Sequence, residues 1–442
     1  MNEIKLYAVA GYPILFSRSP QLYNTAFKEW NFNSRYLRLS SSSGQEVLKT
    51  VRELKISGLN ITSPLKKEVI PFLDELDEVS STTRAANTII PKGKSFKGYN
   101  TDPDGVRGAL RAHCVSPGGK SVLVLGAGGA ACAAAYALIQ DKARKVTLAN
   151  RTERKAEAAA RCLGCDFLPQ KKLKDSLHLF DIIVSCIPDT REVLKPIDLP
   201  PTVVLLEAGY GHSTLPNLPQ TGNPKGPFFI HGLEWLFYQG LPVLRLYTGR
   251  TISQKLKEKI REAIYSAPEK KTNVALIGFM AAGKSTLGRM IARKLSWAFL
   301  DTDEIIAQST GCSIPQIFQL KGEKFFREIE SSEIKPLFQK SRKTVFSLGG
   351  GAVLNEEIRR HLRKSCLTVW VWSPLPEILN RAGHLSRPLL SSLGHTADVE
   401  KLVDSRIPFY AEVADIVIPN PEGKIQLTFR RIIHEIRPAI LD

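Results

Sequence analysis

Apolar and polar positions along the chain fall into short blocks whose period switches between strand and helix. Residues 4–10 are mostly apolar and read as a strand; a helix follows over about residues 20–30. Residues 54–62 include another strand, after which Pro64-Leu-Lys66 opens a further helix. Gly98-Tyr-Asn-Thr-Asp-Pro-Asp-Gly105 reads as a turn before a helix. From residue 121 to about residue 210, strands alternate with a glycine loop and an alanine-rich helix, the order of a βαβ unit. Residues 253–265 form a strongly charged amphipathic helix, expected to pack back on what precedes it. Ser266-Ala-Pro-Glu-Lys-Lys-Thr272 is short and polar, contains proline and precedes a fresh strand, so the major boundary is placed there. Downstream, residues 274–277, 344–348, 367–372 and 415–418 look like strands of a mostly parallel sheet. The expected division is 1–105, 106–240, a helical return over 241–266, a linker over 267–272, and 273–442.

Composition narrows the partners. The net charge of +18 has no long Lys/Arg run and no aromatic-basic interleaving behind it, so anionic small molecules fit it better than nucleic acid. No apolar run approaches the ~20 residues of a membrane span. The first strand begins almost at once, leaving no signal or transit peptide, and the cytoplasm is the expected location. Seven scattered cysteines suit a reducing compartment. Cys162-Leu-Gly-Cys165 has C-x-x-C spacing, but it ends a helix and lacks the further ligands a zinc site needs. Oligomeric state stays open.

Two glycine-rich loops carry the chemistry. Gly126-Ala-Gly-Gly-Ala130 follows an apolar strand and, continued to Ala131, reads G-x-G-x-x-A, a loop that turns tightly and lets a pyrophosphate approach the backbone. The next strand ends in Asn150-Arg-Thr-Glu-Arg154, where an acid would hold the ribose hydroxyls of NAD. Arg151 and Arg154 would instead attract a 2′-phosphate, which predicts NADPH; the plain alternative is two solvent-facing arginines at a helix start. Gly278-Phe-Met-Ala-Ala-Gly-Lys-Ser-Thr286 matches the P-loop G-x-x-x-x-G-K-[ST]. Its Gly278, Ala281, Ala282, Gly283 and Thr286 would line ATP phosphates, with Lys284 reaching the β- and γ-phosphates and Ser285 on Mg²⁺.

Residues after the P-loop supply an acceptor site. Asp301 and Asp303, at i and i+2 of an expected strand end, can assist Mg²⁺ and orient an acceptor hydroxyl. Arg327 and Glu330 share a helix face, as a plain surface ion pair or as part of a site. Gly349, Gly350 and Gly351 put backbone N–H groups at a strand end, and Arg387 and Arg406 add cations. The set L-D-x-D, F-R-x-x-E, G-G-G and R-P-L-L, in this order, resembles shikimate kinase across 273–442. The resemblance implies that Asp303 meets the shikimate hydroxyls, that Asp301 helps hold Mg²⁺, and that Arg327 and Arg406 grip the carboxylate. It also implies that Gly349, Gly350 and Gly351 wall the substrate and that Arg387, in a lid, meets ATP.

The N-terminal part offers a second small-molecule site. Ser17 and Ser19, at alternate positions of an extended segment, can share one carboxylate, or can simply form a turn before the helix. Thr62, Asn87 and Asp102 add polar groups, and an acid beside Lys66 would fix its charge for proton transfer to a developing alkoxide. These residues resemble shikimate dehydrogenase from about residue 4 to 265. The resemblance implies a catalytic pair Lys66 and Asp102, substrate contacts from Ser17, Ser19, Thr62, Asn87, Tyr210 and Gln239, and an NADP site. That site comprises Gly126, Ala127, Gly128, Gly129, Ala130, Asn150, Arg151, Thr152, Arg154 and Gly232. The chain departs from the family pattern at Phe16, at Ser185-Cys-Ile-Pro188, at Glu207 and at Trp235.

The implied fold is α/β: a two-lobed dehydrogenase with a Rossmann-type NADP domain, followed by a P-loop kinase domain with a parallel sheet. The implied activity is bifunctional, NADPH-dependent reduction of 3-dehydroshikimate followed by ATP- and Mg²⁺-dependent phosphorylation of shikimate. Quinate with NAD is the competing substrate and cofactor pair, and a regulatory protein with dead sites is the competing class.

Overall fold

The computed structural model describes residues 4–195, 199–210, 227–267, 269–382 and 396–440. Among the described residues there are two sheets. The smaller has six parallel strands in the spatial order Phe228–Ile230, Val204–Glu207, Ile182–Ser185, Ser121–Leu125, Lys145–Ala149 and Asp166–Phe167. In sequence terms this is 6-5-4-1-2-3, the doubly wound order with a switch point between the first and fourth strands. Crossovers cannot turn back at that point without opening a crevice, and Gly126 lies there against the Cys186 backbone. The helix Gly129–Gln140 is alanine-rich because it is buried on most faces, with Ala131, Ala133, Ala134, Ala135 and Ala137 inaccessible to solvent.

The larger sheet has eleven strands and spans both halves of the chain. One end runs Ala298–Asp301, Thr344–Ser347, Asn273–Ile277, Cys366–Trp372 and Ile416–Pro419, all parallel, as expected for the C-terminal half. The other end runs Ser34–Ser40, Lys5–Gly11, Ile56–Ile61, Thr88–Lys92, Ser95–Tyr99 and Glu75–Leu76. The two meet where Val417 pairs with Leu39. This pairing covers an edge strand of each half, which would otherwise present unpaired N–H and C=O groups. Both faces of the joined sheet are continuous cores. Leu37, Leu39 and Leu59 share one with Trp370 and Tyr410; Tyr7, Tyr36 and Leu22 share the other with Val274, Ile418 and Ile432.

Polar contacts reinforce the junction. Arg35 donates to the carbonyls of Ala411 and Glu412 at 3.1 Å each. Trp372 Nε1 donates to Glu53 at 3.1 Å, and Arg431 pairs with Glu46 at 2.9 Å.

Local details amend the sequence reading. Gly98 and Tyr99 do not belong to a turn: they finish the Ser95–Tyr99 strand, where Gly98 pairs antiparallel with Ile89. The turn shrinks to Asn100 and Thr101 because Asp102 and Pro103 already start the Asp102–Ala112 helix. The charged helix Gln254–Tyr265 does return to the first half, burying Leu256, Ile260 and Ile264 against the Ser19–Glu29 helix. Positions 105 and 240 both fall inside helices, Asp102–Ala112 and Gly232–Thr248, which pack on each other. Among the described residues no helix is long and apolar enough to cross a membrane.

Candidate active sites

Lys66 sits in the first turn of Leu65–Glu68, and its Nζ lies 2.5 Å from Asp102 Oδ2. Asp102 is 1% exposed, and burial of a carboxylate demands partners. They are present: besides Lys66, Asn87 Nδ2 donates to Asp102 Oδ1 at 3.2 Å; the Asp102 backbone N–H is held separately, donating to Asn100 Oδ1 at 3.1 Å. Asn87 Nδ2 also reaches Thr101 Oγ1 at 3.0 Å and Gln239 Oε1 at 3.3 Å, so Gln239 joins the group from the Gly232–Thr248 helix. A Cβ at Gly129 would fall 2.7 Å from Lys66 Cβ. The absent side chain is what brings the dinucleotide loop against the lysine.

Ser17 and Ser19 are both buried, with Ser17 Oγ donating to Ser19 Oγ at 3.2 Å. The Tyr210 phenol bonds Ser17, which ties the serine loop to the end of the cofactor sheet. Thr62 follows the Ile56–Ile61 strand, its N–H on the Ala10 carbonyl at 2.9 Å and its methyl beside Gly11. The sequence reading missed a tyrosine cluster here. The Tyr36 and Tyr247 hydroxyls both donate to Asn60 Oδ1, at 2.6 and 3.0 Å, and Tyr23 stacks on Tyr36 at 4.3 Å. Only their placement among apolar residues of strands and helices could have signalled it, and core tyrosines share that signal.

A groove of about 760 Å³ beside the glycine loop is lined by Ala127, Gly128, Gly129, Asn150, Arg151 and Thr152. Gly126 and Ala130 lie outside the lining, and Gly232 opens its helix directly against the Gly209 carbonyl. Arg154 is exposed and lies outside the lining. The Glu153–Leu163 helix begins between Arg151 and Arg154, and Lys155 and Lys67 line the groove. Among the departures from the family pattern, Trp235 is core, packed so tightly over Gly105 that a Cβ there would meet it at 2.3 Å. Ser185 bonds Thr190 at 2.7 Å, and burial pushes the Cys186 thiol well up.

The C-terminal half has its own pocket of about 370 Å³ above the P-loop. Ala281, Gly283, Lys284, Ser285 and Thr286 line it; Gly278 and Ala282 are buried and outside the lining. Lys284 starts the Lys284–Leu295 helix and its Nζ donates to the Phe279 carbonyl at 2.8 Å. Ser285 Oγ lies 3.3 Å from Ser347 Oγ. Asp303 lines the pocket, but Asp301 does not: it caps the Thr302–Thr310 helix by accepting from the Asp303 N–H at 3.1 Å. Among the described residues no cluster of three or more His, Cys, Asp or Glu could hold a metal. A P-loop Mg²⁺ needs only one or two protein oxygens beside phosphate, and the Ser285 hydroxyl and Asp301 carboxylate are of that hard-oxygen kind.

Opposite the P-loop, Arg327 Nη1 pairs with Glu330 at 2.7 Å. This is no surface pair, since the Glu330 side chain is 1% exposed. Burial pushes its carboxyl up to about 7 against the pull of Arg327, and Asp303 adds to the rise. Arg406 is 2% exposed, stacks 5.2 Å over the Phe279 ring, and leaves Nε and Nη1 without hydrogen-bond partners. A buried guanidinium with two nitrogens unpaired at a pocket is a ready hydrogen-bond donor to an anion. Gly349, Gly350 and Gly351 line the same pocket. A Cβ at Gly351 would fall 2.1 Å from Arg327 Nη2, and one at Gly349 2.6 Å from Asp303 Oδ1, so these glycines leave room for the charged groups. Arg387 lies outside the described residues. Arg381, not anticipated, lines the pocket and donates to the Ala281 carbonyl at 3.3 Å.

Known proteins resemble the two halves separately. A shikimate dehydrogenase (NADP(+)) of Syntrophobacter fumaroxidans is 32% identical over 280 residues, covering 61% of this chain and 97% of that protein. The chain belongs to the shikimate dehydrogenase family. The shikimate dehydrogenase substrate binding domain matches residues 9–89, and the shikimate / quinate 5-dehydrogenase family matches residues 111–201. The shikimate kinase family matches residues 280–437, the stretch that holds the second pocket. The chain is therefore a bifunctional shikimate-pathway enzyme, a dehydrogenase followed by a kinase. The pentafunctional AROM polypeptide of Yarrowia lipolytica is 34% identical over 274 residues, 58% of this chain and 18% of that polypeptide. Among solved structures, a shikimate dehydrogenase of Aquifex aeolicus superposes with a TM-score of 0.53 at 27% identity, covering 60% of this chain and 98% of its own. Shikimate 5-dehydrogenase of Thermus thermophilus, in complex with NADP(H) and shikimate, gives 0.50 at 27% identity, covering 59% and 99%.

Proposed function

We propose that the first half, residues 4–266, interconverts 3-dehydroshikimate and shikimate at Lys66 and Asp102, and that the second, from residue 273, phosphorylates the hydroxyl so formed. The buried Lys66–Asp102 pair beside the dinucleotide loop is the observation that carries this reading. When bound, NADPH supplies the hydride, ATP the γ-phosphoryl group, and Mg²⁺ charge neutralisation at the phosphates. Lys66 donates the proton that the alkoxide oxygen takes up, and Asp102 holds the ammonium in line. Ser17 and Ser19 bind the carboxylate; Asn87, Thr62, Tyr210 and Gln239 orient the ring. In the kinase, Asp303 orients the acceptor hydroxyl, Lys284 and Arg387 offset developing charge, and Arg327 and Arg406 bind the carboxylate.

Two tests separate the parts. Arg151→Ala is expected to raise the KM for NADPH roughly tenfold while the KM for NADH stays put, because only one cofactor has a 2′-phosphate to lose a partner. Equal changes for both cofactors would remove the phosphate role. Arg406→Met, which fills the same space without charge, is expected to raise the kinase KM for shikimate about tenfold or more, with the KM for ATP unchanged. Initial rates over a matrix of both substrates decide it, and an effect on ATP alone would contradict the assignment.

A further inference from the structure

A fully enclosed polar contact between the halves lies directly behind the Ser17–Ser19 loop. Glu435, on the last helix, Ile425–Ile440, has no exposed surface. Its carboxylate accepts from the Ile14 N–H at 3.1 and 2.9 Å, from the Leu15 N–H at 3.0 Å, and from the Ser40 hydroxyl at 2.7 Å. Two residues on, the Ser17 N–H closes a turn onto the Ile14 carbonyl at 3.0 Å. Arg38 clamps the other side of the loop. It donates to the Ser17 carbonyl at 3.0 and 2.7 Å and to the Asp415 carbonyl at 3.2 Å, beside the strand pairing that joins the two ends of the larger sheet. The Tyr12 and His434 rings lie 4.8 Å apart at the same junction.

The surroundings make the carboxylate hard to replace. Ile14, Leu15, Ile432 and Ile436 belong to one apolar cluster, so nothing apolar there can take over the two N–H groups. A buried amide without a partner is costly, and the loop would have to shift to find one. Burial pushes the Glu435 carboxyl up, and the bonds from Ser40, Ile14 and Leu15 oppose that rise.

We propose that Glu435, supplied by the kinase half, is a positioning residue for the dehydrogenase, holding the Ile14 and Leu15 backbone so that the Ser17 and Ser19 hydroxyls face the shikimate carboxylate. This rests on the proposed role of the two serines. Lys66 and Asp102 stand on other elements, so losing Glu435 weakens substrate binding more than the chemical step. The kinase pocket is reached from the opposite end of the same helix, where Thr428 bonds Asn420 and Asn420 bonds the Ala282 carbonyl.

The test uses the full-length chain. In E435A the KM for shikimate in NADP⁺-dependent oxidation is expected to rise about tenfold or more, with kcat and the KM for NADP⁺ changed less than roughly threefold. Kinase kcat/KM should stay at the parental value. E435Q, which keeps one carbonyl oxygen but turns an amide toward a donor, should fall between the two. S17A should raise the same KM. An unchanged KM in S17A overturns the serine assignment and the positioning role with it. A raised KM in S17A beside an unchanged KM in E435A overturns the positioning role alone. If E435A does not fold, E435Q decides. A proportional fall of kinase and dehydrogenase in E435Q, without a KM and kcat split, marks Glu435 as merely structural and also overturns the proposal.

Discussion

Lys66→Ala is expected to lower dehydrogenase kcat by about a thousandfold while leaving the kinase within twofold of the parent. The lysine is the charged donor placed next to the dinucleotide loop, and Gly129 has no side chain in the way. Its removal takes away both the proton and the positive charge at the developing alkoxide. Asp102 cannot replace it, since that carboxylate is already engaged by Asn87 and would repel the oxyanion. The fold should persist, because Asn87 still donates to the Asp102 carboxylate and the Asp102 backbone N–H keeps its bond to Asn100 Oδ1. NADPH consumption with 3-dehydroshikimate, set beside shikimate phosphorylation by the same preparation, measures both. A dehydrogenase that keeps a tenth or more of its rate would remove Lys66 from the reaction.

Lys284→Ala should give the mirror result, a loss of about a thousandfold in phosphoryl transfer with an unchanged dehydrogenase. Lys284 begins its helix where the loop N–H groups converge, and its Nζ rests on the Phe279 carbonyl within the same loop. That contact is local, so the ammonium can turn toward a phosphate without disturbing the sheet. The joined sheet does not transmit the change either, because the strand preceding the P-loop, Asn273–Ile277, is separated from Ser34–Ser40 by two other strands. A variant that keeps its kinase rate, or that loses the dehydrogenase in parallel, would contradict independent active sites.

Much of this was legible in the sequence because the informative features are local. The two loops announce themselves by glycine spacing after an apolar strand, and Lys66, Asp102 and Asp303 sit in short motifs at strand ends. What was hidden depends on contacts between distant segments. Nothing near Leu39 or Val417 says that their strands pair, since a buried parallel strand looks the same whichever neighbour it finds. Glu330 reads as half of a surface ion pair until the fold buries it. Spacing alone also cannot say which of several basic residues at a helix start line the groove: Lys155 does, and Arg154 stands exposed outside the lining. Glu435 is one acid on an amphipathic helix, and only the junction of the halves gives it four close contacts.

The central claim is that one metabolite leaves the first site as the substrate of the second. A single incubation of the purified full-length chain with 3-dehydroshikimate, NADPH, ATP and Mg²⁺ tests it most directly, with NADPH oxidised, ADP formed and shikimate 3-phosphate quantified together. The account predicts that the three amounts agree at completion, that omitting ATP stops the sequence at shikimate, and that omitting NADPH yields no phosphorylated product. NADPH oxidation without phosphorylation of the shikimate formed, or phosphorylation of 3-dehydroshikimate in the absence of NADPH, would contradict it.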